Sequence, residues 1–159
     1  MLNADRDRKL LRAMARYQRY RSRRDPLSRL QCLWGKLGHL FWSLLSASDI
    51  NRDAQIDPGT RMPHPTGVVI HAGVVVEPGC LIMQQVTLGQ LARGGVPYVE
   101  RDAYLGAGAK VLGPVRIGAG ARVGANAVVL QDVPAGATAV GIPARIVHPR
   151  NVMGDEAAS

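Results

Sequence analysis

Aromatic side chains are scarce in this 159-residue chain, at 4% of the composition. That excludes a core of stacked rings, and it argues against base recognition by an aromatic platform in a basic groove. Long apolar runs are also missing: the strongest, "LFWSLL" at 40–45, falls far short of the roughly 18 residues a membrane span needs. The same stretch followed by "SAS" imitates a secretory leader, but the basic region ahead of it is too long for one. The two cysteines, Cys32 and Cys80, sit far apart with no CxxC or Cys/His spacing. They read as reduced packing residues of a cytoplasmic protein, and nothing in their placement calls for a metal.

Acidic residues are few, 12 against 20 Lys and Arg, for a net charge of +8. The imbalance is local. Residues 1–48 carry eleven basic and three acidic side chains, whereas 49–159 carry nine of each. The basic character therefore belongs to the N-terminal segment alone, and nucleic acid is not an expected partner.

That segment, 1–48, reads as two helices separated at "RRDPLS". Leu10, Met14, Tyr17 and Tyr20 recur at helical spacing, with Arg8, Arg12, Arg16, Arg19 and Arg23 on another face. Asp25 is placed to cap the second helix, with Pro26 at its first position, and Leu27, Leu30, Trp34, Leu37, Phe41 and Leu44 form its apolar stripe. One reading of the arginine face is a non-catalytic scaffold docked on an anionic membrane or nucleic acid. The reading favoured here packs the helices on the end of the following domain with the arginines in water, so membrane contact is not expected.

What the chain has in abundance is glycine, 18 residues, and short aliphatics. From Asp49 they fall into a period of six. Val99, Leu105, Val111, Ile117, Val123 and Val129 occur without a miss; earlier phases run through Ile50, Ile56, Met62 and Val68, then Ile70, Val76, Ile82 and Leu88, offset by two residues near His64. Cys80, Val86, Ala103, Ala109, Val115, Ala121, Ala127 and Val133 hold the fifth position of each unit. The fifth position and the next first are two apart, so on a short strand both face one side. "GAG", "LGP" and "GAN" between them suit bends. Strand, bend and strand stacked in this way predict a hexapeptide-repeat parallel β-helix over 49–147, with 148–159 a flexible tail. "GQLARGGVPY" (89–98) delays the phase by five residues and is expected to leave the repeat as an exposed loop.

Taken alone, His64 reads as a solvent-facing loop histidine, Asp49 as a cap or turn residue, and His71 as an exposed turn residue. The motifs add more. "HPTGVVI", "QQVTLG", "YLGAGAKVLGPVRIGAGARVGANAVVLQDVP" and "AVGIPARIV", in that order over about 49–147, resemble the serine acetyltransferase family of left-handed β-helix acyltransferases. The resemblance implies a homotrimer that transfers acetyl from acetyl-CoA to a hydroxyl, in the family case that of L-serine in cysteine biosynthesis. It assigns the base to His64 and its orienting carboxylate to Asp49. A neutral imidazole takes a hydroxyl proton at physiological pH, and a carboxylate on its other nitrogen fixes tautomer and orientation. For CoA it implies backbone contacts at Gly89, Ala107 and Ala125, with an oxyanion-binding N–H near Gly89. Lys110 and Arg145 stand where they can meet the phosphates, and each also reads as a solvated surface charge.

The likeness breaks at the acceptor side. Where the family carries Arg-His-Pro before the strand that follows the extruded loop, this chain has Gly95, Val96 and Pro97, and Pro63 replaces an acidic residue ahead of His64. The segment preceding the repeat is also shorter than the helical domain that joins two trimers in the family. In both respects the chain is similar to short relatives that acetylate a sugar hydroxyl in surface-polysaccharide synthesis. Serine ranks first as the acceptor and a sugar hydroxyl second.

Overall fold

A computed structural model describes residues 5–147, so the expected tail at 148–159 lies outside the described residues. Helices α1 (Arg6–Tyr20) and α2 (Pro26–Ser46) form a hairpin at the start of the chain. Asp25 takes extended backbone and accepts the Ser28 amide at 2.8 Å, while Pro26 occupies the first turn. This is the cap the sequence predicts. Gly35 sits where α2 crosses α1: a Cβ there would stand 2.7 Å from the Tyr17 amide nitrogen, so only glycine lets the two backbones approach so closely. The helix tolerates the intrinsic cost of an internal glycine for that contact.

From Asp49 the chain winds as a parallel β-helix with three short strands in a full coil. The first coil holds β1 (Asp49–Ile50), β2 (Gln55–Ile56) and a bridge at Arg61; the second holds β3 (Val69–Ile70), β4 (Val75–Val76) and β5 (Leu81–Ile82). The third is β6 (Thr87–Gly89), β7 (Tyr98–Val99) and β8 (Tyr104–Leu105), and the fourth β9 (Lys110–Leu112), β10 (Arg116–Ile117) and β11 (Arg122–Val123). The fifth coil has β12 (Val128–Val129) and β13 (Thr138–Val140), after which β14 (Arg145–Val147) folds back antiparallel. Stacking gives three sheets, ordered β1-β3-β6-β9-β12, β2-β4-β7-β10 and β5-β8-β11-β13-β14.

Strand register shows how the irregularities in the sequence are absorbed. Ile70 pairs with Leu88 and Val111 with Val129, each eighteen residues apart, or three hexads. Ile50 pairs instead with Ile70, leaving two residues over for the bend at His64, and Leu88 pairs with Val111, leaving five for the loop. The inward positions are sealed: Ile82, Leu88, Val99, Leu105, Val111, Ile117 and Val123 are fully buried, as are Cys80, Val86, Ala109, Ala121 and Ala127. Val68, which continues the first sequence phase, is structurally the fifth-position partner of Ile70. Burial pushes the Cys80 thiol up to about 11, consistent with an inert packing role.

α1 closes the N-terminal end of this core. Leu10, Leu11 and Met14 are buried on it. Asp7 is buried too, accepting the Met62 amide at 3.1 Å, and the Gln18 side-chain amide donates to the carbonyls of Arg52 and Ala54. The arginines of the opposite face point to water, as expected.

Two expectations need correction. The apolar stripe of α2 does not pack on the repeat. Leu27, Leu30, Trp34, Leu37, Phe41 and Leu44 are all 50% exposed or more, because α2 meets α1 through Gly35 and Gly38 and turns its large side chains outward. The loop after β6 is likewise not wholly extruded: Leu91 is half-buried, Val96 packs against the core and Pro97 is buried. Leu91 lies over Gly113 and Gly95 over Pro114, so the loop runs back along the neighbouring coil.

Candidate active site

Each coil turns a corner just before the sheet that begins with β1, and these corners are bonded into one continuous column. The Gly67 amide donates to Ala47, Gln85 to Thr66, Gly108 to Gln84 and Asn126 to Ala107, all at 2.8–3.0 Å. Gly67, Gln85, Gly108 and Asn126 each take a positive φ, which turns the chain sharply at the same place in every coil. At Gly106 the coils touch backbone to backbone: its amide donates to Val123 at 2.8 Å, and a Cβ there would stand 2.7 Å from the Ala125 nitrogen.

This column gathers most of the residues singled out in the sequence. His64 lies exposed in the two-residue-longer bend at its upper end, in the stretch that leads into β3. Asp49 opens β1, exposed and in register with Val69. Among the described residues no hydrogen bond joins the Asp49 carboxylate to the His64 ring. Ala107 and Ala125 occupy equivalent corners of successive coils, and Lys110 extends its ammonium over the same column to the Gln85 carbonyl at 2.7 Å. By the ~4.8 Å strand spacing, the His64 bend and the Ala125 corner are roughly 14 Å apart along the axis. An extended chain with amide groups fits along such a row of small residues and backbone polar groups.

Gly89 and Arg145 stand apart from the column. Gly89 ends β6 at the far side of the same sheet, where its carbonyl accepts the Gly113 amide at 2.9 Å. Arg145 is exposed at the start of β14, one coil beyond Ala125, where Ala144 is tied to the Val128 carbonyl at 2.8 Å. His71 is exposed, its Nδ1 2.6 Å from the Ala72 carbonyl, in keeping with a turn residue.

The sequence reading missed the surroundings of Asp49. A groove of about 710 Å³ runs between α2 and the first coil, lined in part by His39, Ser43, Ser48, Asp49 and Arg52. His39 is half-buried and its Nε2–H donates to the Ile50 carbonyl at 2.8 Å; burial lowers its pKa and favours the neutral ring. Its signal was hidden because His39 reads as a helix-face residue, and only the packing of α2 brings it beside Asp49.

Comparison with known proteins agrees with this architecture. Residues 97–131 match the family described as bacterial transferase hexapeptide (six repeats). The serine acetyltransferase of Escherichia coli K12 is 44% identical over 130 residues, covering 70% of this chain and 48% of that protein. A solved soybean serine acetyltransferase, complexed with serine, is 31% identical with a TM-score of 0.67, over 87% of this chain and 70% of that one. This chain belongs to the serine acetyltransferase family. A further serine acetyltransferase structure, a complex with CoA, aligns over 85% of this family member and 55% of that chain, at 36% identity and a TM-score of 0.69. The chain spans about half the length of the curated serine acetyltransferases it matches.

Proposed function

We propose that the protein is an acetyl-CoA-dependent O-acetyltransferase whose acceptor is the hydroxyl of L-serine. The observation that carries this reading is the bonded corner column, which places the His64 bend in line with Ala107, Ala125 and Lys110 in a chain of this family. In the proposed reaction, His64 takes the proton of the acceptor hydroxyl and the alkoxide attacks the thioester carbonyl. The tetrahedral intermediate collapses, the C–S bond breaks, and the imidazolium returns its proton to the leaving thiolate. Asp49 orients the ring. The pantetheine arm of CoA lies along the Ala107 and Ala125 corners, with Lys110 and Arg145 towards the phosphates and with Gly89, across the sheet from the column in one subunit, meeting the acyl end at the seam with the neighbouring subunit. The working unit is a homotrimer, with CoA held between neighbouring subunits.

A second acceptor, a sugar hydroxyl, is favoured by one specific feature. Gly95 has φ +81°, and a Cβ there would stand 2.6 Å from the Pro114 ring. No side chain projects from that position, so the loop offers no charged group at 95 to hold a serine carboxylate. The test is product identification by mass spectrometry after incubating the protein and acetyl-CoA with L-serine or with free and nucleotide-linked sugars. O-Acetylserine is the expected product. Acetylated sugar without O-acetylserine would overturn the serine assignment and retain the donor and the base.

A further inference from the structure

Among the described residues the outward face of α2 has no partner. Its apolar stripe is joined by Leu33 at 51% and Leu40 at 56% exposure, so the face is continuous along the helix. α2 contains no acidic residue, and its own charged side chains, Arg29 and Lys36, are basic. α1 adds more cations along one edge: Lys9, Arg12 and Arg16 share a groove of about 450 Å³ with Trp34, Leu37 and Phe41.

Two kinds of surface cover such a face. The alternation of three and four residues in the stripe also suits a coiled-coil seam. A seam between copies of this chain, however, would have apolar Leu33 and Leu40 at its flanks where charged pairs normally set register. It would also bring the basic edges of the hairpins together with no acid on α2 to offset them. An anionic bilayer accepts both halves of the pattern. Leu, Trp and Phe side chains enter the boundary between headgroups and acyl chains, and Lys and Arg meet lipid phosphates. Among the described residues no helix is long and apolar enough to cross a membrane, so the arrangement suits lying on the surface.

We infer that the α1–α2 hairpin is a peripheral docking surface for anionic membranes, with the exposed face of α2 inserted and the Lys9, Arg12 and Arg16 edge on the headgroups. This docking puts at the membrane the helix that leads straight into the corner column, since Ala47 at the head of that column caps α2. It does not depend on the identity of the acceptor.

The test is co-sedimentation of the full chain with vesicles of phosphatidylcholine alone or mixed with phosphatidylglycerol. Light scattering of the lipid-free protein is measured in parallel. The expected result is binding to the phosphatidylglycerol vesicles that weakens with added salt. Leu30→Ser with Trp34→Ser should abolish it. Arg12→Gln with Arg16→Gln should weaken it about 25-fold, at roughly fivefold for each basic contact. Both variants should keep the melting temperature and the assembly mass. A wild-type protein that stays in the supernatant, or variants that bind as it does, would overturn the inference. So would an assembly that loses mass on Leu30→Ser with Trp34→Ser while vesicle binding is unchanged, since the occupant would then be another copy of the chain.

Discussion

His64→Ala should lower turnover by about 10²–10⁴-fold, the range for losing a positioned general base, and leave the affinity for CoA unchanged. The separation of the two effects follows from the column. His64 sits in the bend at its upper end, whereas Ala107 and Ala125, the proposed CoA contacts, lie two and three corners further along. Removing an exposed ring from the bend disturbs none of the amide–carbonyl bonds that hold those corners. The pairing of Gly67 with Ala47 and of Gln85 with Thr66 is made by backbone alone. Steady-state rates and calorimetric titration with CoA read the two quantities separately. Near-normal turnover in the variant would show that another group takes the acceptor proton.

Leu105→Ala should destabilise the protein by about 2–5 kcal/mol, the cost of truncating a fully buried leucine. Leu105 has no exposed surface and stacks in register between Ile82 on one coil and Val123 on the next. The narrow core has no other layer from which to refill the gap, because each coil contributes its own inward side chains and the strands are fixed by their parallel ladders. Leu130→Ala is the control: that side chain is 44% exposed, and its loss should cost less than about 0.5 kcal/mol. Urea denaturation at one protein concentration compares them, since assembly also contributes to apparent stability. Equal midpoints for the two variants would contradict the account of the core.

The repeat was legible in the sequence because a solenoid writes its geometry as a strict period. Every sixth residue points inward, so Val99 through Val129 announce the core one by one. The two-residue offset at His64 and the five-residue delay after Leu88 were also visible there, and they survive as the spacings Ile50 to Ile70 and Leu88 to Val111. The helices were legible only in part. Periodicity revealed that α2 has an apolar face but could not say what covers it, and the face is open because glycines at 35 and 38 make the contact with α1. The burial of Asp7 arises where α1 meets the repeat at Met62, and the placing of His39 beside Asp49 where α2 meets the first coil at Ile50; neither contact has a local signature. At the site, residue types alone left His64 ambiguous, since one exposed histidine between strands carries little information. The order of the motifs around it is what implied a base there, and the corner column is what the proposal adds to it.

Direct transfer of acetyl from CoA to a hydroxyl at the proposed His64 site frees one CoA thiol for each acceptor modified. The decisive measurement is release of that thiol from acetyl-CoA by the purified full chain, with and without L-serine or a sugar acceptor. Thiol release should require the acceptor, match acetylated product one for one, and leave no acetyl group on the protein. Thiol release that ignores every hydroxyl acceptor, or an acetylated protein that accumulates in its absence, would contradict it.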